Sequence, residues 1–413
     1  MSENSLNWVI TMKKTILILD ADLRSTLSII RAIGISNRFT IYTAGPSKLD
    51  FCKYSRYTER SFYYHCPKKS TLLFIESLKH IVNKIRPDYI FPCSDVTLYP
   101  IYCSKYYEEI KDRLMAPNKE VYMLTFDKKR MNDFVESFDV KTIGAPKRQE
   151  KLVIKPRQSR YIVNNQLITG FRRIINSPAD REIILKEMKQ FDEDPLQQEY
   201  IEGRGYGIFA AAKDGVVFSI FAHERIREVP PSGGVSSMRK SIPAHPLLLN
   251  SAKKIINQLK WTGVLMIEFK GISEEDAFFM EVNGRPWGSM DLAVASGVNF
   301  PKMMCDIFID QLSIEQLSEQ YGSSYQIDVY SRWILGDFSY IFHILRSNIS
   351  FNEKAKCVTS VLWQKHSHVT YDTFQVKDPL PFLVECAQML FKFKLKLKLM
   401  KGKPGKNTVT DKA

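Results

Sequence analysis

The chain is expected to combine α/β and α+β structure: a doubly wound parallel-sheet domain, then antiparallel hairpins among helices, then a mainly helical extension. Three observations carry that expectation. Short apolar runs at 14–19, 39–43 and 89–92 alternate with helical stretches at 23–33 and 72–85, the pattern of a doubly wound sheet. Further along, hairpin signals replace this alternation, one at Asp214-Gly215 and another between the apolar segments 264–269 and 277–282. Past residue 310 the readable patterns are mostly helical.

Composition sets the bounds. A chain of 413 residues with 44% hydrophobic and 25% charged residues is globular and long enough for two or three domains. Its net charge of +14 suits a polyanionic ligand, an acidic partner or an anionic surface without choosing among them. The seven cysteines have no Cys-x-x-Cys pair and no regular spacing, which argues against a disulfide framework or structural zinc and for a reducing, cytoplasmic location. The opening Met-Ser-Glu-Asn-Ser-Leu-Asn-Trp has neither the basic region nor the apolar core of a signal peptide, and no long apolar run suggests a membrane span.

In the first unit, the run at 14–19 reads as a strand buried on both faces. It ends at Asp20, and the run at 89–92 ends at Ser94-Asp95. Ligands of such sheets bind beyond the strand C-termini, which nominates Asp20, Ser94 and Asp95 as cleft residues, with helix capping as the alternative. No Gly-x-Gly-x-x-Gly follows the first strand, which disfavours a nicotinamide or flavin site. Ala116-Pro117-Asn118 reads as a domain junction, 121–133 as one helix, and Gly144-Ala145-Pro146 as a break.

Lys155 ends the β-branched run of 152–154 and is locked by Pro156. Its ammonium is suited to a nucleotide phosphate. A helix at 183–191 leads to an extended Glu199-Tyr200-Ile201, whose backbone groups beside an apolar slot match the needs of an adenine ring. The strand 208–212 turns at Asp214-Gly215 and returns through 216–222 to Arg225 and Arg227, which are expected to share one face. The loop 230–237 offers backbone N–H groups to an anion, or is simply a surface loop. After a helix at 245–259 comes the second hairpin. Glu281 and Asn283 project to one face, and Glu268 lies opposite on the partner strand. Two carboxylates and a carboxamide suit Mg²⁺, with Arg285 placed to contact an anion on that metal; the alternative is a hairpin with merely exposed acids.

Helices follow at 290–296 and from Pro301. In the final third, 329–335 carries Arg332-Trp333, a helix runs to 345, and another begins at Pro381. Residues 391–401 alternate apolar and basic side chains as a strand would, while a helix would scatter the lysines all round. This basic end is read as a solvated tail, disordered from Pro404, or as a weak contact for an anionic surface.

In this order the motifs resemble the ATP-grasp superfamily over residues 14–301, and most resemble the predicted ATP-dependent carboligases related to the carbamoyl-phosphate synthetase large subunit. They are Asp127-Lys128, Ile154-Lys155-Pro156, Gln198-Glu199-Tyr200-Ile201-Glu202-Gly203, Glu268 and Glu281-x-Asn283-x-Arg285. The resemblance implies a pre-domain at 12–116 and an ATP-grasp fold at 117–310, split into 117–203 and 204–310, with an extension at 311–413. It further implies ATP between the two α+β subdomains, with Lys128 and Lys155 on the phosphates and Glu199 to Ile201 on adenine. Mg²⁺, or Mn²⁺ in its place, would lie on Glu268, Glu281 and Asn283, and Arg285 would stabilise an acyl phosphate. Three departures stand out. Gly205 occupies the usual ribose-binding position, leaving Glu202 as substitute; the loop 157–160 lacks glycine; and Met266 replaces an arginine, a charge that Arg225 or Arg227 would supply.

The function so implied is a carboxylate–amine ligase acting through an acyl phosphate, with a small-molecule carboxylate and a nucleophile as partners. No aromatic-basic motif points to nucleic acid, and self-association is compatible with this reading. The alternatives are a bicarbonate-using carboxylase or carbamoyl-phosphate type of enzyme and, from another class, a nucleotide-binding regulatory or assembly protein.

Overall fold

A computed structural model describes residues 13–145, 151–231, 234–322, 324–363 and 366–401. Four parallel strands open the chain: β1 (Lys14–Ile18), β2 (Phe39–Gly45), β3 (Arg60–Tyr63) and β4 (Tyr89–Phe91), in the order β3-β2-β1-β4. Helices α1 (Arg24–Gly34), α2 (Thr71–Ile85), α3 (Asp95–Cys103) and the short α4 (Tyr107–Ile110) accompany them. Successive residues of β1 enter different cores, Ile16 and Ile18 on one side and Leu17 on the other. That is the physical reason for its unbroken apolar run. The edge strand β3 reads Arg-Ser-Phe-Tyr and is largely open to solvent, so it carries no such run and escapes sequence inspection.

The helix expected at 121–133 is two helices, α5 (Lys119–Phe126) and α6 (Lys128–Glu136). Asp127 is extended between them (φ −93°, ψ 104°), and its side chain accepts from the N–H groups of Lys129 and Arg130. The aspartate therefore caps a second helix rather than sitting inside one.

A small antiparallel sheet follows, with β5 (Leu152–Lys155) between β8 (Arg173–Ile175) and β9 (Leu196–Glu199). A separate hairpin, β6 (Arg160–Val163) and β7 (Gln166–Thr169), turns at Asn164-Asn165, both at positive φ (50° and 60°). That is the geometry of a tight two-residue hairpin. This hairpin leans on the first domain, where Leu167 joins a core with Tyr64, Leu98 and Tyr122. Helix α7 (Pro178–Met188) starts earlier than expected because Ser177 caps it, accepting from the Asp180 N–H.

The large sheet has seven strands in the order β14-β13-β10-β11-β12-β15-β16. They are β10 (Arg204–Lys213), β11 (Val216–Val229), β12 (Val235–Ser241), β13 (Gly263–Gly271), β14 (Phe278–Asn283), β15 (Tyr330–Arg332) and β16 (Val369–Tyr371). Asp214 (φ 50°) and Gly215 (φ 84°) make the turn from β10 to β11. Helix α8 (Pro246–Gln258) covers one face, packing Leu248, Ala252 and Ile255 on Ile208, Leu265 and Ile267. On the other face, Phe209, Phe221, Val264 and Met266 share a single core with Ile16, Ile18 and Leu27 of the first domain. Helices α9 (Met290–Ala295), α10 (Phe300–Phe308) and α11 (Ile314–Gln320) complete this layer.

The C-terminal part is mainly helical, with α12 (Ile334–Arg346), α13 (Phe351–Leu362) and α14 (Leu380–Lys401), but it also supplies β15 and β16 to the large sheet. Buried ion pairs fasten it, Arg31 to Asp378 at 2.8 Å and Arg239 to Asp372. The alternating stretch from Phe391 lies in helix α14, not in a strand. A neighbouring strand is what makes alternation useful, and a helical start at Leu380 simply propagates. The tail from Pro404 falls outside the described residues. Among the described residues, no helix is long and apolar enough to cross a membrane.

Candidate active site

The β13–β14 pairing sets Glu268 directly opposite Glu281 and Met266 opposite Asn283. Glu268 continues the row of Val264 and Met266, so it stands on the face shared with the first domain, at the point where the apolar core gives way to polar groups. The Asn283 amide donates to Glu281 Oε1 (3.2 Å), and Arg285 Nη2 donates to Asn283 Oδ1 (2.7 Å). Arg225 reaches Glu268 Oε1 at 3.2 Å, and Lys128 Nζ lies 3.8 Å from Glu281 Oε2. The hairpin acids, Asn283, Arg285, Lys128 and Arg225 thus converge on one place. Gly207 is the β10 residue facing Glu268, and a Cβ there would meet the Phe209 ring at 3.0 Å; the missing side chain keeps the floor before Glu268 open.

Lys155 closes the opposite side. It ends β5 in the small sheet and is only 7% exposed. Burial pulls its ammonium down to about 8, with Glu281 opposing and Lys128 and Arg172 reinforcing the drop. Burial and the facing charge of Glu281 raise the Glu268 carboxyl, against the pull of Arg225 and Arg285. For Glu281, burial is outweighed by Lys128 and Lys155, and its carboxyl is held low. Lys128, Lys155, Arg225 and Arg285 face four carboxylates, those of Glu268, Glu281, Glu228 and Asp95, so cations and acids are interleaved around the hairpin.

The donor set fits a divalent cation. Two carboxylates, each about a quarter exposed (26% and 29%), and a carboxamide oxygen are hard ligands. They are too few for a closed cage and suit an ion that also takes phosphate and water. Among the described residues no group of three or more His, Cys, Asp or Glu is placed to hold a metal ion.

The segment expected to hold adenine links the two sheets. Glu199 pairs with Leu152 at the end of β9, its side chain exposed, and its N–H donates to Gly144 O (3.3 Å). That donor is therefore already engaged. Tyr200 and Ile201 follow outside any strand and are half-buried, while Glu202 is exposed. The Lys151 ammonium lies 3.8 Å from the centre of the Tyr200 ring. Gly203 (φ 107°) makes the entry into β10, where a Cβ would strike Gly271 O at 2.0 Å.

Arg225 and Arg227 do not share a face. Arg225 pairs with Arg239 but Arg227 with Met238, so Ile226 is an extra residue in a bulge. A bulge reverses the alternation beyond it. Arg227 is buried against α12 in an ion pair with Asp337, away from the glutamates.

Of the three strand-end residues nominated for the cleft, Asp95 reaches the hairpin. Asp95 at the start of α3 accepts from Arg285 Nε (3.1 Å) and from the Tyr122 hydroxyl (2.9 Å). It thereby joins the first domain to the hairpin, whereas Ser94 does cap α3, accepting from the Val96 N–H. Asp20 is consumed structurally: it accepts from the Cys93 N–H and the Thr97 hydroxyl, and burial raises its carboxyl to about 7. The loop after Lys155 is held by side chains instead of shaped by glycines. Arg157 pairs with Asp127 (2.5 Å), and Ser159 accepts from Lys128 Nζ (2.7 Å). A signal for this existed in the Arg-Gln-Ser-Arg run itself, but its partners lie on other elements. A small cavity is bounded by Asp95, Tyr122, Lys128, Ser159, Glu281 and Asn283. A larger groove of about 700 Å³, edged by Asp139, Leu248, Phe269 and Glu275, lies behind the hairpin on the α8 side, away from the glutamates.

Comparison with known proteins bears on the fold. Residues 192–329 match the family described as ATP-grasp in the biosynthetic pathway with Ter operon. No curated protein matches the chain in sequence. Among solved structures, the chain resembles biotin carboxylase from Campylobacter jejuni in complex with β,γ-ATP (TM-score 0.59, 16% identity, 77% of this chain and 74% of that one). It also resembles the biotin carboxylase domain of Hydrogenobacter thermophilus 2-oxoglutarate carboxylase with MgADP and bicarbonate (0.57, 15%, 77% and 73%). A third similar structure is the L-amino acid ligase of Bacillus licheniformis (0.57, 12%, 77% and 78%). The fold is the ATP-grasp fold.

Proposed function

We propose that the protein is an ATP-dependent ligase that activates a small-molecule carboxylate as an acyl phosphate and passes the acyl group to an amine. The observation that carries this reading is the facing pair Glu268–Glu281 with Asn283, ringed by Lys128, Lys155, Arg225 and Arg285. Structures of similar fold that hold β,γ-ATP or MgADP support a nucleotide at this place. The matched family's description points to a biosynthetic role.

In the reaction, a carboxylate oxygen of the acid attacks the γ-phosphorus of ATP in line. The bond from that phosphorus to the bridging oxygen breaks, and ADP leaves. The amine then adds to the acyl carbon, inorganic phosphate departs, and the amine loses a proton. Lys128 and Lys155 hold the phosphates, one from the start of α6 and the other from the end of β5. Arg285 orients the incoming carboxylate and balances the charge of the acyl phosphate. Glu268, Glu281 and Asn283 would hold Mg²⁺, which neutralises the transferring phosphoryl group and fixes its line of attack. The side-chain contacts of Arg157 and Ser159 anchor the loop after Lys155 beside the phosphate-holding lysines. Catalysis on this scheme is positioning and charge neutralisation, in keeping with a site built from cations and carboxylates.

The resemblance to structures with bicarbonate supports a second reading, carboxylation through carboxyphosphate. One screen separates the two. Amino acids, simple acids, sugar acids and bicarbonate are each incubated with Mg²⁺, ATP and hydroxylamine, and ADP and hydroxamate are measured. ADP with hydroxamate from an organic acid is expected. ADP that depends on bicarbonate alone would replace the ligase by a carboxylase. ATP binding without turnover, unchanged in Lys155→Ala and Glu281→Ala, would replace both by a nucleotide-binding regulatory or assembly role.

A further inference from the structure

Helix α14 turns an apolar row to solvent, and its own sequence continues that row as a basic one. Its inner side is fixed to the protein. Val384 packs on the core shared by the first domain and the large sheet, and the Phe382 ring stands 5.4 Å from that of Phe374. Glu385 accepts from Trp333 Nε1 (3.0 Å) and from the Thr373 hydroxyl (2.7 Å), while Gln388 donates to the Leu49 carbonyl of the first domain. With these side chains turned inward, Leu380 (54%), Leu383 (56%), Leu390 (64%) and Phe391 (67%) are left exposed, and so is Ala387 between them. Steps of three and four residues set 380, 383, 387 and 390 in one row along the helix.

The same spacing continues in the sequence at Lys394, Lys398 and Lys401, all within α14. Between residues 386 and 410 there are seven lysines and no aspartate or glutamate. We propose that α14 docks on an anionic lipid bilayer, lying along the surface with its exposed leucines and Phe391 in the apolar boundary and the following lysines among the headgroups.

Two physical demands select the bilayer. Exposed leucine and phenylalanine side chains gain by leaving water, and a run of lysines without acids gains from a negative surface potential. A membrane interface meets both within about 5–10 Å of depth, and the carbon stem of a lysine lets its ammonium stay at the headgroups while the helix sinks towards the acyl chains. A second copy of the helix is a poorer partner. Laid parallel, two such rows set lysine against lysine; laid antiparallel, they set lysines over leucines. A nucleic acid answers the charge but leaves the leucine row in water. Among the described residues no helix is long and apolar enough to cross a membrane, so α14 lies on the surface instead of spanning it.

The test is co-sedimentation of the full chain with vesicles of phosphatidylcholine alone and of phosphatidylcholine mixed with phosphatidylserine. The mixed vesicles should bind at least about tenfold more tightly, and added salt should weaken that binding. Combining Lys394→Glu, Lys398→Glu and Lys401→Glu should lower the affinity for mixed vesicles by about a hundredfold or more. Leu390→Ser with Phe391→Ser keeps the charge and should still cost about tenfold or more, a loss that a solvated basic tail would not show. Both of those side chains are exposed, so this variant should melt with the parent. No preference for the mixed vesicles, or a preference untouched by Leu390→Ser with Phe391→Ser, would overturn the proposal. Dimerisation abolished by the same two substitutions, without vesicle binding, would assign the row to a second copy. Tight binding of a single-stranded RNA, without vesicle binding, would assign the lysines to nucleic acid, and either result overturns the bilayer.

Discussion

Lys155 offers a quantitative test of how the site meets its nucleotide. Its ammonium falls from 10.5 to about 8, mainly through burial. That drop corresponds to about 3 kcal/mol in favour of the neutral amine. Phosphate oxygens beside the nitrogen would restore the charge and raise the value again, so ATP binding must take up a proton wherever the free amine is neutral. At pH 8 about half of the lysine is neutral, giving an uptake of about 0.5 proton; at pH 9 the uptake should approach about 0.9. The apparent Kd should rise as pH climbs above 8, by up to about tenfold per unit. Calorimetry of ATP binding in two buffers of different ionisation enthalpy measures the uptake directly, and Lys155→Met should abolish it. An uptake near zero at pH 9, or one retained in Lys155→Met, would refute the assignment of Lys155 to the phosphates. The same shift acts on folding. A lysine lowered in the native state leaves the unfolded chain binding more protons above pH 8, so its contribution to stability improves as pH rises from about 8 towards 10.5.

Glu281→Gln removes one of the two facing carboxylates and should cut Mg²⁺-dependent ADP release by about a hundredfold or more while melting within a few degrees of the parent; unchanged kinetics across a Mg²⁺ titration would exclude Glu281 as a ligand. Gly284→Ala drives a Cβ to 2.4 Å from the fully buried Trp261 ring and should cost about 1–3 kcal/mol in urea denaturation, with impaired turnover because Asn283 and Arg285 flank it. Arg31→Met takes the cation from Asp378, which keeps the Ser55 hydroxyl and the Arg56 N–H as donors, and thermal or urea unfolding should show a loss of up to about 3–5 kcal/mol; a neutral result would mean that those donors and water suffice for the carboxylate.

Much of the site was legible in the sequence because it rests on local geometry. A hairpin of two apolar runs around a polar turn brings its acids together by pairing alone, and Glu268 does stand opposite Glu281. A lysine ending a β-branched run before proline could be recognised as aimed inward, and Lys155 is buried in sight of Glu281. Asp20, Ser94 and Asp95 were equally visible at strand ends, yet their fates diverged. Asp20 braces β1 against β4, Ser94 caps α3, and Asp95 faces Arg285.

What only the tertiary structure decided is governed by long-range or single-residue events. The bulge at Ile226 turned Arg227 away from Arg225, and no local composition marks one extra residue in a ladder. The break at Asp127 set Lys128 at a helix start, where capping won over an uninterrupted helical pattern. The partnership of Asp95 with Arg285 spans 190 positions of sequence and exists because the first domain and the large sheet share one apolar core. By itself, then, the sequence determined the buried strands β1, β2 and β4, the paired glutamates and the inward lysine, since these follow from periodicity and neighbouring residues. The docking of the first domain onto the hairpin, which brings Asp95 to Arg285, came from burial between distant segments, and that burial leaves no local trace.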